Sequence, residues 1–232
     1  MKRLAYYTAY FGGEHNYSNL LPPIPSDVTD CYFFTNNPTM YTRLEGTKWL
    51  RIFVDSIPIH NNSLLDTAET KELRACPHRF PVLHDYEYLC WFDTKLKVYE
   101  EIVERCVDLL ASSSDKVLVM TRHPYLDKYK TVWDEYHTAM TVEKYSEQQE
   151  QNKAFLTRQL AAGASETIDV FYCCGFRLIK RSDKAKEINE LWYNYILECG
   201  IEDQISFQFV QQIYGNAIHG LAYQESWKYF YE

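Results

Sequence analysis

The stretch Tyr88-Leu89-Cys90-Trp91-Phe92-Asp93-Thr94-Lys95 decides how this chain is to be read. It opens on an unbroken apolar and aromatic run, the pattern of a central strand covered on both faces. The run delivers an acid and a base at its C-terminal end, the edge of an open α/β sheet where ligands bind. Asp93 there suits a metal or a ribose, and Lys95 suits a phosphate. Equally, Asp93 could cap the turn and Lys95 could sit on a solvated face. Spacing alone leaves both readings open.

Outward from that strand, extended and helical segments alternate, which predicts an α/β fold. Leu4 to Phe11 is strand-like and is broken by Gly12-Gly13. Cys31 to Thr35 is a second strand, closed by Asn36-Asn37-Pro38, and Trp49 to Val54 a third. Val98 to Leu110 carries its apolar residues on one helical face. Lys116 to Met120 is again extended, and Lys128 to Ala161 holds two or more helices. Thr167 to Tyr172 and Phe176 to Lys180 read as two strands meeting at Cys173-Cys174-Gly175. Ser182 is an N-cap for a helix from Asp183 to Cys199, which ends at Gly200. A further helix runs from Asp203 to Tyr214. With no repeat, linker or low-complexity tract, residues 1–232 are expected to form one domain.

The bulk composition narrows the function classes. The chain has 232 residues, 46% of them hydrophobic, and a net charge of −8. An acidic protein lacks the cationic face that displaces counterions from a nucleic-acid backbone, so no nucleic-acid partner is expected. Aromatics reach 16%, with 20 tyrosines. Such side chains fill cores, and they also stack on sugars and bases while offering a polar tip. Seven cysteines at positions 31, 76, 90, 106, 173, 174 and 199 form no CxxC pair. They read as reduced, buried small hydrophobes. No signal-peptide core or apolar run long enough to span a bilayer occurs, so a cytoplasmic protein without an integral membrane segment is expected.

Two further constellations carry chemistry. Gly200-Ile201-Glu202-Asp203-Gln204-Ile205-Ser206-Phe207 places two acids and an amide at a helix start. Asp203 there is either a cap or, with Gln204, a group beside a reacting sugar that accepts a proton or steadies developing positive charge. Lys71, Arg74, His78 and Arg79 form a cationic set before the Asp93 strand, suited to phosphate or to surface ion pairs. Cys76 with His78 lacks an orienting partner for a thiol nucleophile. The seven histidines make no HxH or HExxH spacing, and His219 reads as a core or loop residue, with metal ligation as the alternative.

Taken in order, several of these pieces resemble one family. Tyr7-Thr8-Ala9-Tyr10-Phe11-Gly12 is similar to its opening strand. Cys31-Tyr32-Phe33-Phe34-Thr35-Asn36 is similar to its second, with Asn36 where Asp is usual. Arg74-Ala75-Cys76-Pro77-His78-Arg79-Phe80-Pro81 followed by Tyr86 to Lys95 is similar to its central element. Arg122-His123-Pro124 and Glu202 to Phe207 are similar to its later ones. The family is a glycosyltransferase-like domain found in plant mucilage-related and turgor-regulation proteins and in microbial and viral relatives.

The resemblance implies a single GT-A, Rossmann-like domain whose mixed, mainly parallel sheet is flanked by helices. It implies transfer of a sugar from a UDP- or GDP-linked donor to a glycan, a glycoprotein or another hydroxyl acceptor. A non-catalytic nucleotide-sugar or carbohydrate-binding module on the same fold is the alternative. Thr8, Ala9, Tyr10 and Thr35 would line base and ribose, and Cys174-Gly175 the donor sugar. Lys71, Arg74, Arg79, Lys95 and His123 would complete the donor site, with Asp203 and Gln204 at the anomeric carbon. Asp93 would hold a divalent cation, Mn2+ or Mg2+, with His219 a weaker second candidate. Lys95 stands where the usual Asp-x-Asp has its second acid, a departure that bears on metal dependence. Retention or inversion stays open.

Overall fold

The computed structural model describes residues 1–13, 21–124, 128–222, 225 and 227–229. In chain order, β1 (Lys2–Tyr10) and β2 (Asp30–Thr35) precede α1 (Pro38–Arg43) and β3 (Leu50–Phe53). Then come α2 (Ser63–Ala75), β4 (Tyr86–Phe92), β5 (Leu96–Val98), α3 (Glu100–Ser112) and β6 (Leu118–Arg122). Three helices follow, α4 (Val132–Ala139), α5 (Glu143–Ser146) and α6 (Gln149–Ala161), before β7 (Tyr172–Lys180). The chain continues through α7 (Asp183–Cys199), α8 (Asp203–Tyr214), β8 (Ile218–Leu221) and β9 (Trp227–Tyr229).

The central sheet has seven strands in the order β3-β2-β1-β4-β7-β6-β8. Strands β3, β2, β1 and β4 are mutually parallel, as are β6 and β8, while β7 runs antiparallel between β4 and β6. A two-stranded ribbon pairs β5 with β9. This is the α/β fold that the alternation of segments predicts, with the mixed, mainly parallel sheet that the resemblance implies.

Alternation of side chains along the strands feeds two cores. On one face Tyr7 and Trp91 pack with Leu73, Trp192 and Phe207 from α2, α7 and α8. On the other, Tyr6, Phe33 and Phe92 pack with Trp49 and with Val103, Val107 and Leu110 of α3. Burial of each such side chain contributes about 1.5–3 kcal/mol. A third cluster joins Tyr136, Phe155, Phe171, Ile205 and Phe209, tying the helical excursion to α8.

Two expectations need correction, and one helix was not expected. Residues 167–180 are not two strands: β7 runs without a break through Gly175, and Thr167 makes only an isolated bridge to Thr131. Gly175 suggests a turn by composition, but what it provides is space. A Cβ there would lie 3.2 Å from Asp93 Oδ2 and 3.4 Å from Leu96 Cδ1, so it permits close approach inside a strand. Val98 ends β5 opposite Trp227, and the helix begins only at Glu100. Helix α2 escapes the apolar pattern because its buried positions include Asp66 and Lys71 beside Leu73 and Ala75. Asn62 caps it, accepting from Leu65 N at 2.9 Å.

The loop after β1 is locked to the loop after β2. Gly12 N donates to Asn36 Oδ1 and Asn37 Nδ2 donates to Gly12 O, both at 2.8 Å. Gly12 has φ +111°, and a Cβ on it would meet Asp66 Cγ at 2.5 Å. Asp66 is fully buried and accepts from His60 N at 2.9 Å. Gly12→Ala therefore combines backbone strain with overpacking and should cost roughly 2–4 kcal/mol of stability. Urea unfolding of the variant checks this, and a loss below about 0.5 kcal/mol would contradict it.

Candidate functional site

The C-terminal ends of the parallel strands open into a cleft of about 760 Å³. Asp93 arrives directly after β4, its amide donating to Gly175 O of β7 at 2.9 Å. Lys71 and Arg74 lie one helical turn apart on α2 and so face the same way. Asp203 opens α8, where Trp192 Nε1 and Ser206 Oγ donate to its carbonyl at 3.2 and 3.0 Å.

These four side chains form one ionic cluster. The Arg74 guanidinium donates from one nitrogen to Asp93 Oδ1 and from another to Asp203 Oδ2. Lys71 Nζ donates to the same Asp203 oxygen at 2.7 Å. Asp203, Lys71 and Arg74 side chains are 5%, 6% and 12% exposed, so their attraction is little screened by solvent. Burial alone would raise the Asp203 carboxyl, but Arg74 and Lys71 outweigh it and hold the group at about 2. Arg74 is itself held by Arg177, which donates to the Arg74 carbonyl at 2.7 Å and to Asn189 Oδ1 at 2.6 Å.

Other residues named from the sequence fall into two groups. Ala9, Tyr10, Lys95, His123, Cys174, Gly175 and Gln204 line the cleft with the ionic cluster. Lys95 Nζ lies 5.6 Å from the Tyr229 ring centroid. The His123 ring packs 4.4 Å from Phe171, and burial lowers it to about 4, so it is neutral at physiological pH.

Thr8, Thr35, Arg79 and His219 do not line the cleft. Thr8 is fully buried and donates to Phe92 O at 2.6 Å, fastening β1 to β4. Thr35 is equally buried and accepts from Asn37 N at 3.0 Å. Arg79 is engaged by Glu72 and Glu190. His219 stands opposite Val119 in the β6–β8 pairing. The expected donor contacts of the first three and the metal role of His219 therefore have no geometric basis here.

The sequence reading counts Glu202 as one of two acids at a helix start but misses the second acid beside it, Glu135. Glu202 caps α8, accepting from Gln204 N at 3.2 Å, and lines the cleft. Gln204 Nε2 donates to Glu135 Oε1 of α4 at 3.0 Å. Burial pushes both carboxyls up, joined by Glu202 at Glu135, which reaches about 8, and by Asp203 at Glu202. Lys144 and Tyr145 of α5 also line the cleft. The Glu135 signal was hidden because it sits in a helix whose neighbours look like ordinary surface. Lys144-Tyr145 lies in a helix of only four residues, too short for periodicity to reveal.

A divalent cation requires several oxygen ligands free of competing cations. Asp93 already accepts from Arg74 and, at 3.3 Å, from Trp91 Nε1, and Asp203 is shared by Arg74 and Lys71. Lys95, at the second-acid position, would set an ammonium against the ion. The cleft residues do not fit the expected Mn2+ or Mg2+. Elsewhere, Cys76, His78 and Glu190 bring ligand atoms within 4.8 Å of one another. Glu190 is committed to Arg79 and to His78 Nε2, and burial pushes the Cys76 thiol up to about 12.

Glu135 binds its proton more tightly folded than unfolded. Its contribution to stability is present below about pH 4.5 and is lost as pH rises through about 8. Thermal unfolding from pH 5 to 9 should show this fall in the parent protein and a flatter profile in Glu135→Gln. Parallel profiles would exclude it.

No protein-family model and no curated protein matches this sequence. Among solved structures, the crystal structure of mouse xyloside xylosyltransferase 1 in its apo form is similar to this chain. It has a TM-score of 0.52 and 13% identity, over 95% of this chain and 84% of that one. At that identity the likeness concerns architecture, and the chain has a glycosyltransferase, Rossmann-like fold.

Proposed function

We propose that residues 1–232 act as one glycosyltransferase unit, moving a sugar from a UDP- or GDP-linked donor to a hydroxyl of a glycan or glycoprotein. The observation that carries this reading is the Arg74 guanidinium spanning Asp93 and Asp203 across the cleft. Such an arrangement presents fixed donors and acceptors to sugar hydroxyls without reorganisation during reaction. The solved neighbour is a xylosyltransferase, which makes pentose as well as hexose donors the natural panel.

Glycosyl transfer builds positive charge at the anomeric carbon and negative charge on the departing diphosphate. Asp203, held ionised by two cations, is a poor proton acceptor and suits the role of a fixed anion facing the sugar. Gln204, anchored through Glu135, offers its carboxamide beside it. Tyr229, half-buried at the cleft, supplies aromatic surface for base or sugar. Seven buried free thiols support a reducing compartment, the cytoplasm, and among the described residues no helix is long and apolar enough to cross a membrane.

The test is incubation of pure protein with UDP- and GDP-sugars, with free sugar or transfer product measured by mass spectrometry. Asp203→Asn should lower turnover at least about 10²-fold, the scale of losing one preorganised electrostatic contact, with nucleotide affinity changed only a few-fold. Near-normal turnover would remove Asp203 from the chemistry. Nucleotide binding without any turnover in the parent protein would favour a binding module.

A further inference from the structure

The cleft has an excess of cationic groups, and they are not evenly placed. Lys71, Arg74, Lys95 and Lys144 line it against Asp93, Glu202 and Asp203. Lys71 and Arg74 are consumed by Asp203 and Asp93. Among the described residues no carboxylate forms an ion pair with Lys95, whose near neighbour is the Tyr229 ring. Burial and then Asp203 raise the Glu202 carboxyl, against the pull of Lys71 and Lys144. Burial, then Lys71 and Lys95, lower Lys144 to about 8, against the opposing pull of Glu202 and Asp93. Mutually repelling ammonium groups around one cavity are the arrangement a polyanion relieves.

A nucleoside diphosphate needs its charge offset both to bind and to leave. A divalent cation usually serves, but an ammonium placed against the phosphates supplies the same charge. The carboxylates that would ligate an ion are already occupied by Arg74 and Lys71, and Lys95 stands two residues after Asp93. We propose that Lys95 and Lys144, backed by Lys71, hold the diphosphate of the nucleotide donor directly and make the cleft independent of a divalent cation. The inference rests on reading this cleft as a nucleotide-sugar site and adds how its phosphates are held.

Calorimetric titration of the full chain with UDP and GDP, in EDTA and then with manganese, tests it. Affinity should agree within about twofold between the two buffers. Lys95→Gln and Lys144→Gln should each weaken binding roughly tenfold in both, the size of one charge-assisted hydrogen bond. Binding that appears only with manganese overturns the inference and leaves the donor reading standing. Binding in EDTA that neither substitution weakens overturns the assignment to these lysines. If a cooperatively melting protein binds neither nucleotide in either buffer, the donor reading falls and the inference with it.

Discussion

Two carboxylates and two cations taken out of water together are the constraint around which this molecule is arranged. Removing a charge from water costs several kcal/mol unless a partner meets it in good geometry. Asp93, Asp203, Lys71 and Arg74 meet that condition only if β4, α2 and α8 end at one place. The surrounding structure fixes those ends. Arg177 grips the Arg74 backbone, Trp192 grips the Asp203 carbonyl, and Gly175 leaves room for the Asp93 carboxylate. Two tryptophans and the phenylalanines around them exclude the water that would otherwise screen the cluster.

Much of the architecture was legible because it is written in apolar runs. The β4 run and the stripe of α7 follow directly from hydrophobic spacing, and Ser182 caps α7 as its position suggests, accepting from Ala185 N. Helix α2 was not legible, since burying Asp66 and Lys71 in place of apolar residues erases the usual periodicity. That the missed helix carries two of the four members of the ionic cluster is no accident. Polar residues directed inward serve a site, and they blur the pattern by which helices are recognised.

At the candidate site, residue type was a good guide and neighbourhood a poor one. Asp93 and Asp203 lie 110 positions apart in the chain, yet both read as sheet-edge and helix-start acids, which put them within reach of one guanidinium. Arg79, only five residues beyond Arg74, turns away after the helix ends at Ala75 and is taken up by Glu72 and Glu190. Thr8 and Thr35 hold strands and loops together instead of facing the cavity. Lys95 is legible as the base two residues after Asp93, whereas Lys144 has no telling sequence context and only folding brings it into the same cleft.

The direction of β7 carries a consequence for how such a site can change. Because this strand runs against its neighbours, the cleft meets its N-terminal part, at Cys173, Cys174 and Gly175, where the pairing with β6 slips in register between Met120 and Thr121 and the pairing with β4 stops at Phe176. A loop tolerates insertion and drift; a position inside a strand accepts only what its neighbours leave room for, and a Cβ on Gly175 would already lie 3.2 Å from Asp93 Oδ2. The base of the cavity is thus conservative by construction. New ligand preferences must come from the rim, where α5 and the polar turn of α2 bearing Thr67 and Thr70 can vary without disturbing the sheet.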